Sequence, residues 1–250
     1  MKWIGYLFMI FSLIASVGCT QTVSFVPSEA STSEIEESTH DVASMRRMAM
    51  RTSEAAVKVV NPYAGRGSGT YYEIGGHHIV ITAAHVVRDT QMAFIEAQEG
   101  ELTLSMVVYR DEVNDIAIIA TPEIESREAM KYRPRSEADL RGTEVLYTGY
   151  PANHELFTAY GRVSGLSQNG ALLIHSYAWM GASGSSVFDT RGRLVGILYA
   201  VDLGSSPYDP YRVLPPHVVE DVVHVAPIWK LNMDEIIEQL DACAEGVCRQ

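Results

Sequence analysis

Apolar residues in this chain recur in short runs, mostly four to eight residues long, rich in Val, Ile, Leu and Tyr and separated by Gly, Pro, Asn and Asp. Runs of that length with turn residues between them predict strands, and strands at such close spacing predict an all-β barrel or sandwich. The first half gives Ala56–Val60, Thr70–Ile74, His78–Thr82, Met92–Ala97, Leu102–Tyr109 and Ile116–Ala120. The second half gives Val145–Gly149, Tyr160–Leu166, Ala171–Ser176, Ser186–Asp189, Leu194–Ala200 and Val222–Pro227. Only two short helical pieces interrupt them: a turn around Ala83–Val87, and Met233–Leu240, which has Asn232 as its N-cap and Asp234 and Glu235 in its first turn. The folded domain therefore spans residues 54–241 with a tail over 242–250, and no repeat at solenoid or propeller period occurs. Asp202–Asp221, with Pro207, Pro210, Pro215 and Pro216, breaks the pattern and reads as a long loop that shapes a site.

The front of the chain is different. Lys2, the apolar run Trp3–Val17 and a small-residue end at Gly18 make residues 1–18 a signal peptide, too short for a stable membrane span. Ser16-Val17-Gly18-Cys19 resembles a bacterial lipobox, with Ser16 where leucine is usual, and the resemblance implies lipidation of Cys19. Either plain secretion or lipidation places the mature chain outside the cytoplasm, in the cell envelope. Thr20–Ser44 holds five acids (Glu29, Glu34, Glu36, Glu37, Asp41) and no Lys or Arg, so residues 19–53 read as a flexible acidic tether. Met45–Ser53 is either the end of that tether or a short helix.

The net charge of −12 makes a nucleic-acid backbone an unfavourable partner, and it leaves the lipid anchor as the expected route to a membrane. Three cysteines, Cys19, Cys243 and Cys248, are too few for a disulfide scaffold or a four-ligand zinc site. In an oxidising compartment Cys243 and Cys248 could close a small loop worth a few kcal/mol at most. His77 and His78, adjacent on a strand, point to opposite faces, and the remaining histidines show no metal-ligand spacing, so no metal is expected.

Chemistry concentrates at Met180-Gly181-Ala182-Ser183-Gly184. A serine hydroxyl attacks only when a base removes its proton and donors meet the oxyanion that develops. Flanking glycines let successive N–H groups turn toward one point. His85 ends the apolar run Ile79–Ala84, where an imidazole can take and return a proton near neutrality. Asp115 opens the apolar run Ile116–Ile119, where a buried carboxylate needs a partner and can orient a histidine ring. Each residue alone fits a blander role: a satisfied strand-end histidine, a solvated turn acid, a polar loop serine. Their joint occurrence at strand ends and loops, in the order His, Asp, Ser, outweighs those separate readings. The α/β-hydrolase elbow is a poorer fit, because position 185 is Ser and both partners precede the nucleophile.

Thr82-Ala83-Ala84-His85, Asn114-Asp115-Ile116-Ala117 and Gly181-Ala182-Ser183-Gly184 resemble the three signatures of trypsin-like, chymotrypsin-fold serine peptidases. Gly67-Ser68-Gly69-Thr70, Gly192–Ile197 and Val225-Ala226-Pro227-Ile228 are most similar to the bacterial Deg/HtrA-type branch, over about residues 54–241 and without room for PDZ domains. The resemblance implies two six-stranded antiparallel β-barrels with the active site between them, followed by the short C-terminal helix. It implies His85 as base then acid, Asp115 as its orienter, Ser183 as nucleophile, and the N–H groups of Gly181 and Ser183 as the oxyanion hole. A polypeptide is the implied substrate and no cofactor is called for. Ala182 stands where Asn or Asp is commoner, and Ser185 and Ser186 stand where Gly and Pro are usual. By similarity, Tyr177, Leu198, Tyr199 and Ala200 line the substrate pocket; with Tyr177 in place of an acid, preference for Lys or Arg is not expected. A second reading is a catalytically silent peptidase-fold binding protein whose triad is poorly aligned, and a third is a partner-activated form whose loop Ala178–Gly184 is ordered only by a partner or peptide.

Overall fold

The computed structural model describes residues 32–98, 100–136, 139–152, 154–204 and 217–244. A helix, α1 (Thr32–Ala55), leads into twelve strands. Strands β1 (Ala56–Asn61), β2 (Gly65–Ile74), β3 (His77–Thr82), β4 (Met92–Glu96), β5 (Leu102–Asp111) and β6 (Ile116–Ala120) close into one barrel in the order β1-β2-β3-β6-β5-β4. Strands β7 (Glu144–Gly149), β8 (Phe157–Leu166), β9 (Leu172–His175), β10 (Ser186–Asp189), β11 (Leu194–Gly204) and β12 (His217–Pro227) close into a second, ordered β10-β11-β12-β9-β8-β7. Every ladder pair is antiparallel, and closure leaves neither sheet an edge. The two six-stranded barrels expected from the sequence are those observed.

Burial explains which runs became central strands. Ile79, Val80 and Ile81 of β3 and Ile116–Ile119 of β6 are buried on both faces. One face fills the first barrel, and the other is covered by linker residues Ile124 and Met130 and by α2 (Met233–Ala244). Although α2 follows the second barrel, its Met233, Ile236 and Leu240 return to the core of the first. There Ile237 lies over the Gly75-Gly76 hairpin turn, whose positive φ angles of 61° and 84° are those a two-residue turn requires.

Two expectations are corrected. Residues 32–44 are not a flexible tether, and of the two readings of Met45–Ser53 the helix is the one observed: α1 runs from Thr32 through both to Ala55. Met45, Met48, Thr52 and Ala55 fall on one face at helical spacing and pack inward, while Arg46, Arg47, Arg51 and Glu54 face solvent. Thr52 hydrogen-bonds Thr148 of β7 at 2.6 Å, and Ser44 Oγ donates to the Thr190 carbonyl at 2.7 Å, so the helix is bonded to the second barrel. The loop expected over Asp202–Asp221 is shorter, because β11 and β12 continue into it with Leu203 opposite Val218 and Gly204 opposite His217. The middle of that loop, residues 205–216, lies outside the described residues, as do residues 1–31 with Cys19 and residues 245–250 with Cys248; residues 242–244 of the expected tail belong to the C-terminal helix.

The barrels are joined by polar contacts across an otherwise apolar seam. Tyr72, fully buried, donates from its hydroxyl to Ser186 Oγ at 2.9 Å, and burial drives its phenol far above the ordinary value. Ser186 N–H donates in turn to Thr70 Oγ1 at 3.3 Å. The linker bonds to both barrels, with Met130 N–H to the Tyr71 carbonyl and Arg135 N–H to the Leu194 carbonyl. Arg135 also pairs at 2.8 Å with buried Asp189, which Arg193 grips at 2.7 Å from its other side. Burial alone would raise the Asp189 carboxyl, but the Arg193 N–H and both guanidinium groups hold it below the usual value.

Candidate active site

His85 stands in a 3-10 turn, Ala84–Val87, that follows directly on β3. Ala83, Ala84, Val86 and Val87 are buried, which leaves the imidazole as the outward-facing side chain of the turn, 34% exposed. The turn is held from below. Asn61 donates from Nδ2 to the carbonyls of Val86 and Arg88, and Arg110 donates to those of Val87 and Thr90.

Asp115 meets it from the β5–β6 connection. The Asp111 carboxylate accepts hydrogen bonds from the N–H groups of Val113 and Asn114 and from the Asn114 side chain, building the turn that ends at Asp115. Partial burial opposes that charge, yet these donors and nearby Lys230 hold the Asp111 carboxyl below its usual value. Asp115 itself has φ of 56°, the left-handed region that Asp tolerates better than most residues. Its two oxygens are both committed: Oδ1 accepts the backbone N–H of His85 at 2.8 Å, and Oδ2 meets His85 Nδ1 at 2.7 Å. A carboxylate gripped at both ends fixes the ring's orientation and keeps the Nδ1 proton in place.

Ser183 comes from the second barrel, in the β9–β10 connection. Gly67 of β2 brings the two sides together. A Cβ there would lie 2.6 Å from Val86 Cγ2 and 2.9 Å from the Ser183 carbonyl, so only glycine lets the histidine turn and the nucleophile loop close on the same strand. The Ser183 hydroxyl reaches the Tyr199 carbonyl at 3.5 Å, and among the described residues it makes no hydrogen bond to His85. Tyr199 lines a cavity of about 520 Å³ together with His85, Asp115, Arg88, Asn169 and Lys230. The acid, the base and Tyr199 therefore border one space.

The loop before Ser183 is set by its carbonyls. Met180 C=O accepts from Ala152 N–H at 2.6 Å and Ala182 C=O from Ser185 N–H at 3.1 Å. In a trans peptide the N–H points opposite its carbonyl. The Gly181 and Ser183 N–H groups are thus directed away from those partners, and neither finds an acceptor among the described residues. The positive φ of Gly181, 98°, permits that turn.

The four residues expected to form a substrate pocket are not brought to one described cavity. Tyr199 faces the space beside Asp115, where burial and the charges of Asp115 and Asp202 raise its phenol despite a hydrogen bond with Asn169. Tyr177, 42% exposed, lies edge-on to Phe157 in a separate groove with Tyr160 and His175. Leu198 is buried inside the second barrel, and Ala200 is half-buried opposite His224. The two departures after the nucleophile have distinct fates. Ser186 belongs to the inter-barrel seam, while Ser185 is fully buried with its Oγ unpartnered, in the space a Cβ on Gly149 would need. Ser68 entered the sequence reading only as part of Gly67-Ser68-Gly69-Thr70, with its flanking glycines as the signal; its full burial is seen only in the structure. Among the described residues no three His, Cys, Asp or Glu side chains come together as a metal site.

A family model described as the trypsin-like peptidase domain matches residues 67–197. No curated protein matches the chain by sequence. Among solved structures, the serine endoprotease from Yersinia pestis resembles it with a TM-score of 0.59 at 21% identity, over 77% of this chain and 66% of that one, just under two thirds of its length. The inactive form of the Rv3671c protease resembles it with a TM-score of 0.57 at 18% identity, over 80% of this chain and 94% of that one. A mutant of Rv3671c from M. tuberculosis H37Rv, also an inactive form, gives 0.55 at 18% identity over 79% and 90%. These structures speak for the double barrel. The family model speaks for more, because it runs from the strand beneath the histidine turn to the strand behind the nucleophile, more than half of the sequence and parts of both barrels: the chain belongs to the trypsin-like peptidase domain family.

Proposed function

We propose that the protein is an exported serine endopeptidase that hydrolyses polypeptides through an acyl-enzyme. The observation that carries this reading is the double hydrogen bond of Asp115 to His85, at 2.8 and 2.7 Å. That grip leaves Nε2 of the imidazole as the free base. The serine hydroxyl turns from the Tyr199 carbonyl to His85, gives Nε2 its proton and attacks the peptide carbonyl carbon. The Gly181 and Ser183 N–H groups meet the oxyanion, a term worth several kcal/mol of barrier in such enzymes. The imidazolium then protonates the leaving amine, and water repeats the sequence to release the acid. This chemistry requires no cofactor. Lys2, the apolar run Trp3–Val17 and Cys19 support export and lipid anchoring in the cell envelope.

One observation favours a second reading. The hydroxyl makes only a long 3.5 Å contact with the Tyr199 carbonyl and no hydrogen bond to His85, as in an enzyme activated by its partner or a binding protein that retains the fold. Labelling with a fluorophosphonate separates these. Modification of the purified protein that disappears in Ser183→Ala supports the endopeptidase. Modification only after addition of a peptide supports partner activation, and none under any condition refutes catalysis. Incorporation of an alkyne fatty acid that is lost in Cys19→Ala supports the anchor, and incorporation unaffected by that change refutes it.

A further inference from the structure

Ser68 is fully buried on β2, one residue from the pinch at Gly67, and all of its polar atoms are used. Its N–H donates to the Ser183 carbonyl at 2.7 Å. Its hydroxyl donates to the Gly181 carbonyl at 2.7 Å and accepts the Tyr150 N–H at 2.9 Å. Its own carbonyl accepts the Thr82 hydroxyl at 2.7 Å, and Thr82 ends the strand that leads into the histidine turn. One residue of the first barrel thus holds two carbonyls of the nucleophile loop, those of Gly181 and Ser183. The other two carbonyls there, of Met180 and Ala182, are held by Ala152 and by Ser185.

We infer that Ser68 is a positioning residue: its hydroxyl fixes the Gly181–Ala182 peptide, the one between the two peptides that carry the oxyanion-binding N–H groups, and thereby aims both. The physical reason lies in what the loop would otherwise do. Gly181 has no Cβ to restrict it, so the peptides on either side of it rotate at little steric cost. A carbonyl pointing into the oxyanion space would repel the developing negative charge that an N–H there would stabilise. With Gly181 C=O bonded to the Ser68 hydroxyl, the Gly181–Ala182 peptide can rotate, and carry its two neighbours with it, only by abandoning a buried hydrogen bond. Ser68 touches no substrate and acts through the loop. Its carbonyl bond to Thr82 also ties that loop to the strand carrying the base, so acid–base and oxyanion parts are held in one register.

The inference rests on the endopeptidase reading, and the test keeps the two apart. The full-length mature protein and its Ser68→Ala and Ser68→Cys variants are compared by kcat per active site titrated with fluorophosphonate, by KM, by inhibition with a peptide aldehyde, and by melting temperature. Loss of a single oxyanion donor costs about 10²–10³ in kcat, and loss of its support is expected to cost about 10–100-fold. KM is expected to stay within about twofold, while aldehyde affinity falls in step with kcat, because only the tetrahedral adduct uses the hole. Ser68→Cys keeps the bulk with a far weaker donor, so it is expected to lose kcat while melting near the wild type, and it serves if Ser68→Ala does not fold. A lowered melting temperature with unchanged kcat per titrated site overturns the inference and makes Ser68 purely structural. A parallel loss in KM with no change in aldehyde affinity also overturns it. Failure of the wild type itself to react overturns the functional reading instead.

Discussion

Replacing Asp115 by Asn tests the acid–base half of the site, because the structure dictates which way the amide must face. The backbone N–H of His85 already occupies Oδ1 at 2.8 Å, so an Asn keeps its carbonyl oxygen there. Its NH₂ then confronts His85 Nδ1, where Oδ2 now lies at 2.7 Å. The ring can answer only by presenting a bare Nδ1 and carrying its proton on Nε2, the atom that has to accept the serine proton. Reversing the amide sets NH₂ against N–H and forfeits a hydrogen bond worth about 1.5–3 kcal/mol. Losing a full negative charge beside the imidazolium, in a pair partly open to water, removes on the order of 2–4 kcal/mol more. About 5 kcal/mol in all corresponds to a loss of roughly 10⁴-fold, at about 1.4 kcal/mol per decade, the size seen for this change in other serine triads. The assay is the second-order rate of fluorophosphonate modification at pH 7.5, together with kcat on a fluorogenic casein substrate and the melting temperature. A variant that melts normally and reacts within tenfold of the wild type would refute the proposed role of Asp115.

Three further outcomes follow from particular contacts. Gly184→Ala is expected to cost about 3–5 kcal/mol in denaturant unfolding, since its Cβ would lie 2.0 Å from the Ser68 carbonyl oxygen at a φ of +94°; a loss below 1 kcal/mol would mean the seam is looser than described. Met48→Ala is expected to lose about 2–4 kcal/mol, whereas a residue in a flexible tether would lose nothing measurable, so the same urea titration decides whether α1 belongs to the fold. Because Asp189 has a lowered carboxyl value when folded, its contribution is complete above the ordinary carboxylate pKa of 3.8 and disappears as pH falls through the lowered one. The stability gap between wild type and Asp189→Asn should therefore be large at pH 7, about 3–5 kcal/mol with Arg135 left buried, and should shrink below pH 4. A gap that stays constant down to pH 2 would show that charge is not its source.

Each of the twelve strands could be found locally, because a strand of a closed barrel must bury apolar side chains while turn residues mark its ends. The Asp115–His85 pair was legible for a related reason: a titratable residue at the end of a fully apolar strand such as β3 or β6 needs either solvent or a partner. The tether reading rested on the Ser/Thr/Glu composition of Thr20–Ser44, but the stripe of Met45, Met48, Thr52 and Ala55 that follows it anchors a helix, and α1 extends back from that stripe to Thr32. The residues expected to line one pocket border different described cavities because adjacent strand residues face opposite ways: Leu198 turns into the barrel as Tyr199 turns toward Asp115. Sequence alone determined the strands, the order of the three reactive side chains and the acidic, cysteine-poor character of the chain, since each depends on residue type and near neighbours. Only the tertiary structure decided that Gly67 is pinched between Val86 and Ser183, that α2 returns to the first barrel, and that Ser68 serves both halves of the site. Those are contacts between residues distant in sequence. They exist because two closed barrels pack with their turns facing each other, and no local pattern encodes which carbonyl a buried hydroxyl will meet.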